Sequence, residues 1–469
     1  MSAHPARAGL APALACVALA LALAAHAGPA GAQGVRESHS LGGGSPRRLA
    51  LAEALDIGLE ENPTVRASRF RRSASTAGIW EAYGNFLPQL QLSSALQQSG
   101  GGQVFVEGVP IPGGGPDIYT TYYEFQLSHR LFDAGRDFLR LGGARAERRA
   151  ADAQVDEERL RVAAEIRRRY IEALAATARR EQAEREIEGR RGRLDLARAR
   201  FQLGEVTRSD ELQASIQVSE AEVDRVTSER DVRGAKLELL RAMGVEVDAD
   251  SVELTDRFTV FEPVIDPDSL VRLAFREHPA LRRLRATREV RGSEHSIAKT
   301  AYLPTLQAGV ALQSTSSDTT EFLFRDFENR HFYTVGLQWD LFTGFSRYND
   351  ASRAKAELRV AEESVRDAEL EIEAGVRQAY LALVNARRTH LTQVDNVELA
   401  RQQLELAQER YRIGALSFPD LQDAQVTFSA VETDFIRSTY DFFLALASLE
   451  EASAQPLFPR GSPAASSSP

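Results

Sequence analysis

The sequence predicts a mainly α chain with a small β part: long antiparallel coiled-coil helices plus four short strands. Three observations predict it. The chain is internally doubled: Asn62-Pro63 and Phe86-Leu87-Pro88-Gln89-Leu90 return as His278-Pro279 and Tyr302-Leu303-Pro304-Thr305-Leu306, 216 positions on. Leu127, Leu131-Phe132, Arg200-Phe201 and Gly204 return as Leu337, Leu341-Phe342, Arg410-Tyr411 and Gly414, 210 positions on, so one connecting loop is shorter in the second copy. Within each copy, proline-free stretches carry apolar residues at steps of three and four, and two short segments alternate apolar with polar.

Length alone would suggest about three ordinary domains; the doubling argues for one body of two similar halves. The net charge of −10 gives no reason to expect nucleic acid, and the arginines are interleaved with Glu and Asp as on solvated helix faces. Cys16 is the only cysteine, which rules out an intramolecular disulfide.

Residues 1–32 read as a secretory signal peptide: Arg7, an apolar run over 10–25, then Ala25-His26-Ala27 and Ala30-Gly31-Ala32 as cleavage sites. Lipidation at Cys16 would want a Leu where Ala13 stands and an apolar run that ends near the Cys, whereas this run continues through Leu23. After cleavage no apolar run long enough for a membrane helix remains. A linker over 33–48 leads into the first repeat, 49–245. A second linker, 246–267, precedes the second repeat, 268–453, and 454–469 reads as a disordered Ser/Pro/Ala tail.

Residues 49–83 read as helix, with Pro63 as a break or a fresh first turn. A strand hairpin spans about 88–132. Leu90, Leu92 and Leu96 face one way and Gln89, Gln91, Ser93 and Gln97 the other. In its second strand Tyr123, Phe125, Leu127 and Leu131 oppose Glu124, Gln126, Ser128 and Arg130, and Gly/Pro-rich 100–116 reads as a loop.

A helix of about 100 Å then runs over 133–203 with Val162, Ile166, Tyr170, Ala173 and Thr177 in step. After Gly204 a second helix places Leu212, Ile216, Ser219, Val223, Val226, Leu237 and Leu240 in register. The second half repeats the order: helix over 268–302 around Pro279, then a hairpin over about 303–342. In that hairpin Leu306, Ala308, Val310 and Leu312 share a face, as do Tyr333, Val335, Leu337, Trp339 and Leu341. A long helix to Ile413 has Leu391, Val394, Val397, Ala400, Leu404, Ala407 and Tyr411 as its seam. The last helix carries a coiled-coil seam of Leu421, Ala424, Phe428, Val431, Phe435, Ser438, Phe442, Ala445 and Leu449.

Four strands, each apolar on one face and polar on the other, in a secreted chain whose helices have seams of their own, point to a membrane β-barrel around water. Tyr123, Tyr333 and Trp339 suit an interfacial aromatic girdle. Four strands cannot close a barrel, and an open edge in lipid leaves backbone groups unpaired, so further copies of the chain must complete it. The helices continue the tube into the periplasm.

On these doubled motifs and the two turns, Arg200-Phe201-Gln202-Leu203-Gly204-Glu205 and Arg410-Tyr411-Arg412-Ile413-Gly414-Ala415, the chain resembles the TolC family of outer-membrane efflux and secretion channels over 49–452. The resemblance implies a homotrimer with a 12-stranded barrel in the cell outer membrane and a helical tunnel in the periplasm. It implies that Leu203, Gly204, Ile413 and Gly414 are tips that dock a periplasmic adaptor (membrane fusion) protein, coupled through it to an inner-membrane pump. Glu205 departs from the small or apolar residue usual there. It implies too that Asp420 and Asp423 form two acidic rings at a constriction, with Asp210 and Tyr411 in the gate network. The residues alone favour a capping role for Asp420 and Asp210 at helix starts. The gate arginine that the family places two residues after the second tip glycine is Leu416 here, with Arg412 or Arg208 as substitutes.

No catalytic constellation is visible. The histidines lack helical pairing, and His129 sits in a strand. Met243 is the only methionine besides Met1, which disfavours a thioether-lined copper route. No cofactor and no metal are expected. The function expected is a passive exit duct for small molecules in a tripartite efflux pump. The alternatives are the outer-membrane component of type I protein secretion and, from another class, a periplasmic coiled-coil adaptor or structural protein.

Overall fold

The computed structural model describes residues 47–100, 105–106, 109–110 and 117–458. The expected signal peptide, Cys16, most of the first linker, much of the 100–116 loop and residues 459–469 lie outside them.

The first described element is β1 (Arg47–Leu49), which pairs in parallel with β6 (Val252–Leu254). Residues read as linkers thus form a two-stranded sheet. Helix α1 (Leu51–Glu61) stops at Asn62, and α2 (Pro63–Gly84) restarts at once. Pro63 lacks the N–H that would continue α1, and Asn62 Oδ1 accepts the Thr64 N–H at 2.8 Å as an N-cap. The second repeat does the same with α5 (Pro267–Glu277), His278 and α6 (Pro279–Thr300); His278 Nδ1 accepts the Ala280 N–H at 3.2 Å.

Two antiparallel hairpins follow α2 and α6: β2 (Gln89–Ser99) with β5 (Ile118–Phe132), and β7 (Thr305–Asp318) with β8 (Glu328–Gln338). They join into one sheet of order β2-β5-β7-β8. The connector inside the first hairpin carries a small pair, β3 (Phe105–Val106) on β4 (Val109–Pro110), where the sequence suggested only loop. The second connector is shorter, 319–327 against 100–117, as the change of shift predicts.

Two helices of 67 residues, α3 (Arg136–Gln202) and α7 (Ser346–Arg412), leave the sheet and span about 100 Å each. Tight turns return them as α4 (Arg208–Met243) and α8 (Phe418–Ser453). Next to the sheet α3 packs on α2 and α6, and α6 on α7; farther away α3 packs on α4 and α8, and α8 on α7.

The core is three clusters along this length. One gathers α3 with α1, α2 and α4 around Ile166, Tyr170 and Met243. The next gathers α5 to α8 around Leu281, Val376, Leu383 and Phe442. The third lies at the turns. Within the first, the Tyr170 hydroxyl donates to Asp256 Oδ2 at 2.8 Å, and α3 is tied to α8 where Arg167 pairs with buried Glu450 at 3.0 Å. Burial holds the Glu450 carboxyl above the usual carboxylate range, and Arg167 opposes the shift.

The α8 seam is buried or half-buried along its length, as its periodicity predicts. The α4 seam is not. Leu212, Ile216, Val223, Val226 and Leu237 are exposed, and α4 packs on α3 through Ala214, Ala221 and Val232 instead. On α7 the seam is buried from Ala400 to Tyr411, while Leu391 and Val394 are exposed. The tail also differs: Leu457 and Phe458 pack on the second-repeat cluster, with the Phe458 ring 6.5 Å from that of Phe443. Two large apolar side chains find a groove there, so order extends past Pro456.

Candidate functional site

The sheet has two chemically different faces. Register places Leu90, Leu127, Val310 and Tyr333 in one cross-strand row, with Leu92, Phe125, Leu312 and His331 in the next. On the opposite face Ser93, Glu124, Gln313 and Arg330 form a row, and Gln89, Ser128, Gly309 and Thr334 another. The side-chain period of two makes this separation a property of the whole sheet once the register is set. At Leu131 the register slips: Arg130 pairs with Gln307 and Phe132 with Leu306, so Leu131 is the extra residue of a β-bulge. The bulge carries the apolar face on through Phe132, which is why adjacent Leu and Phe occur there.

Tyr123 and Tyr333 lie in strands on the apolar face. Tyr123 rests against Phe327, with ring centroids 5.4 Å apart, and Tyr333 is exposed. Trp339 is not in a strand. β8 ends one residue earlier, and the Trp339 indole N–H donates to the Tyr302 carbonyl at 3.2 Å. Pairing stops there because the chain must turn into α7. Around this junction sequence reasoning missed a band of exposed aromatics: Trp80, Phe138, Phe342, Phe345 and Tyr348. Their shared signal was proximity to the strand ends.

The far ends of the long helices form two matched turns. Gly204 has φ +77 and Gly414 φ +74. Gly204 N donates to Phe201 O at 3.0 Å and Glu205 N to Arg200 O at 2.9 Å; Gly414 N donates to Tyr411 O at 3.0 Å and Ala415 N to Arg410 O at 2.8 Å. Both are Schellman caps, which demand a left-handed residue at these positions. The caps leave Leu203 75% and Ile413 71% exposed at the extremity of the molecule.

Each returning helix begins with a cap. Thr207 and Asp210 form a reciprocal capping box, with Thr207 N donating to Asp210 Oδ2 at 2.9 Å. Ser417 Oγ donates to Asp420 Oδ2 at 2.6 Å and accepts the Asp420 N–H at 3.4 Å. Asp423, one turn on, is exposed on the same face of α8, and its carboxylate has no hydrogen bond or ion pair among the described residues. Gln422 turns elsewhere, accepting from Gln213 Nε2 of α4 at 2.9 Å.

Tyr411 is only 6% exposed. It packs with Leu404, Leu421 and Ala424, its ring 6.0 Å from that of Phe418, and its hydroxyl has no hydrogen-bond partner among the described residues. The structure therefore joins Tyr411 to the start of α8 behind Asp420, and does not join it to Asp210. Arg200, which sequence reasoning noted only as part of a repeat, crosses between the turns. It donates to Tyr411 O at 3.1 Å and Arg412 O at 2.7 Å, with its guanidinium 4.8 Å from the centre of the Tyr411 ring.

The family model described as outer membrane efflux protein matches residues 54–245 and 270–455. Protein CyaE of Bordetella pertussis is 26% identical over 354 residues, covering 73% of this chain and 70% of that protein. Outer membrane protein TolC of Vibrio cholerae is 22% identical over 407 residues, covering 86% of this chain and 90% of that one. Among solved structures, the Campylobacter jejuni CmeC outer membrane channel superposes with a TM-score of 0.74 at 14% identity, covering 89% of this chain and 90% of that one.

Proposed function

This chain belongs to the outer membrane efflux protein family, with its strands in the outer membrane and its helical part in the periplasm, and on that premise we propose that it is the exit duct of a tripartite pump. Three copies close into a 12-stranded barrel and a helical tunnel that conducts small molecules passively from periplasm to exterior.

One observation carries the reading: both layers of the chain are open at matching flanks. The sheet ends in unpaired edges at β2 and β8, and the helices end in exposed apolar stripes on α4 and α7. Unpaired strand edges cost several kcal/mol per group in lipid. A cyclic assembly that sets β8 of one copy on β2 of the next also brings α7 toward α4, satisfying both flanks at once. The periplasmic coiled-coil alternative gives such a sheet no role.

In this assembly Asp420 and Asp423 ring the narrow end and favour cations. Asp210 and Tyr411 belong to the gate, and Tyr123, Tyr333 and Trp339 to the aromatic girdles. The exposed tips at Leu203-Gly204 and Ile413-Gly414 receive a periplasmic adaptor that links the duct to an inner-membrane pump.

The test is single-channel conductance of the purified protein in planar bilayers, wild type beside Asp420→Asn/Asp423→Asn. A small cation-selective conductance, lowered by divalent ions and relieved in the variant, supports the constriction. A channel indifferent to the substitutions returns both aspartates to the helix start. The absence of any channel from well-folded protein refutes the duct. Type I protein secretion would use the same duct; a deletion strain that retains a secreted protein without accumulating small toxic compounds would select it.

A further inference from the structure

We propose that Arg200 is a latch that holds the first helical turn closed on the second, and so sets how readily the duct opens. The proposal rests on the reading that these tips close the duct.

The last carbonyls of any helix lack intrahelical partners and form the negative end of its dipole. At the end of α7, Arg412 O, and Tyr411 O beside its bond from Gly414 N, are capped by a cation from another helix. Arg200 donates to them at 3.1 and 2.7 Å, and its guanidinium plane lies 4.8 Å from the Tyr411 ring centre. The Arg200 side chain is 14% exposed, and its bond to Tyr411 O is part-buried, where charged hydrogen bonds are strong, while its bond to Arg412 O lies at the surface.

The two repeats differ here. Arg410 holds the position equivalent to Arg200, yet it is exposed and makes no ion pair or side-chain hydrogen bond among the described residues. The grip runs one way, from the first turn onto the second.

Two further contacts make the closed state poised. The Tyr411 hydroxyl is buried without a partner among the described residues, so opening the cluster to water relieves it. Glu205 sits 3.8 Å from Arg200 Nε and is 57% exposed, close enough to draw the guanidinium away from the carbonyls. The latch opposes both. Because Tyr411 packs on Phe418, two residues before Asp420, releasing Arg200 also frees the start of α8.

The experiment is open probability in planar bilayers for the full-length protein, as wild type, Arg200→Ala, Arg200→Lys, Arg410→Ala and Tyr411→Phe, with thermal melts alongside. Arg200→Ala should shift the closed-to-open ratio by about tenfold toward open, the scale of a lost charged hydrogen bond. Arg200→Lys, a single donor without the fork, should fall between. Arg410→Ala should match wild type, and Tyr411→Phe should open less than wild type.

An unchanged open probability in Arg200→Ala, or an equal rise in Arg410→Ala, overturns the latch while leaving the duct intact. If Arg200→Ala does not assemble, wild-type behaviour of both Arg200→Lys and Tyr411→Phe overturns it. No conductance from wild type sinks the duct, and the latch with it.

Discussion

Asn62 fastens the start of α2 to the end of α4: its Nδ2 donates to the Ala242 carbonyl at 2.8 Å while its Oδ1 caps Thr64. His278 holds the matching place in the second repeat with a titratable ring. The cap needs a neutral Nδ1 acceptor, and burial pushes the imidazole below its ordinary value of 6.5.

The sign follows from linkage. Below about pH 6.5 the unfolded chain binds the proton more readily than the folded one, so stability is full above that pH and falls on acidification toward the folded value. His278→Asn restores the cap of the first repeat without the titration. Its melting temperature should drop less between pH 7.5 and 5 than that of wild type. His390, also depressed by burial, leaves a residual slope in both proteins. Parallel wild-type and variant curves would show that His278 takes up its proton as readily in the folded chain as in the unfolded one, against a cap that needs it neutral.

The two tip glycines answer a backbone demand and no spatial one. A Cβ at Gly204 or Gly414 would meet nothing within 4 Å, yet both sit at positive φ. Gly414→Ala should therefore cost about 1 kcal/mol, from left-handed strain alone. Gly414→Asn, which tolerates that region, should cost less. Thermal melts of the two variants beside Gly204→Ala check it; equal loss for Ala and Asn would point to a lost contact.

What was legible in the sequence was local. The ends of α3 and α7 are written in Gly204 and Gly414, the restarts of α2 and α6 in Pro63 and Pro279, and the sheet faces in alternation. What failed was long-range. Periodicity marks Leu212, Ile216, Val223 and Val226 as a stripe on α4 but does not say what covers it, and they face away from the chain's own core. The start of β8, Glu328-Asn329-Arg330-His331, is polar on both faces, so alternation gave no signal; pairing to β7 makes it a strand. Arg200 could not be singled out, because its acceptors are backbone carbonyls more than 200 residues away. Leu457 and Phe458 were lost in a Ser/Pro/Ala-biased tail although two apolar side chains suffice to dock it.

Gly58 and Gly234 separate packing from helix propensity. A Cβ on Gly58 would run into Ile166 Cδ1 and lie 3.3 Å from Met243 Cα, and both neighbours are fully buried. Overpacking of this kind costs about 1–3 kcal/mol, against a propensity gain of about 1 kcal/mol for Gly to Ala. Gly58→Ala should thus lower the melting temperature. Gly234 lies mid-α4 with nothing within 4 Å of an added Cβ, so Gly234→Ala should raise it or leave it unchanged. A stabilising Gly58→Ala would mean that α1 can move off α3 at little cost.

The faces of the sheet give the sharpest test of where it sits. Leu127 lies between Leu90 and Val310 on the apolar face, and its neighbour Gln126 lies between Gln91 and Ala311 on the other. If the first face meets lipid and the second lines water, an arginine should be costly at one and harmless at the other. Leu127→Arg should cost about 2–4 kcal/mol near the bilayer midplane, and Leu337→Arg less if it lies nearer an interface. Gln126→Arg should be absorbed by the polar face beside Glu124 and Gln313. The readout is the yield of assembled protein in outer membranes, with purified material compared by melting. Reduced yield for Leu127→Arg with normal yield for Gln126→Arg supports the assignment of faces. Equal loss would mean that both faces are packed against protein, and equal tolerance that both are wet; in either case β2, β5, β7 and β8 would not form the wall of a membrane barrel.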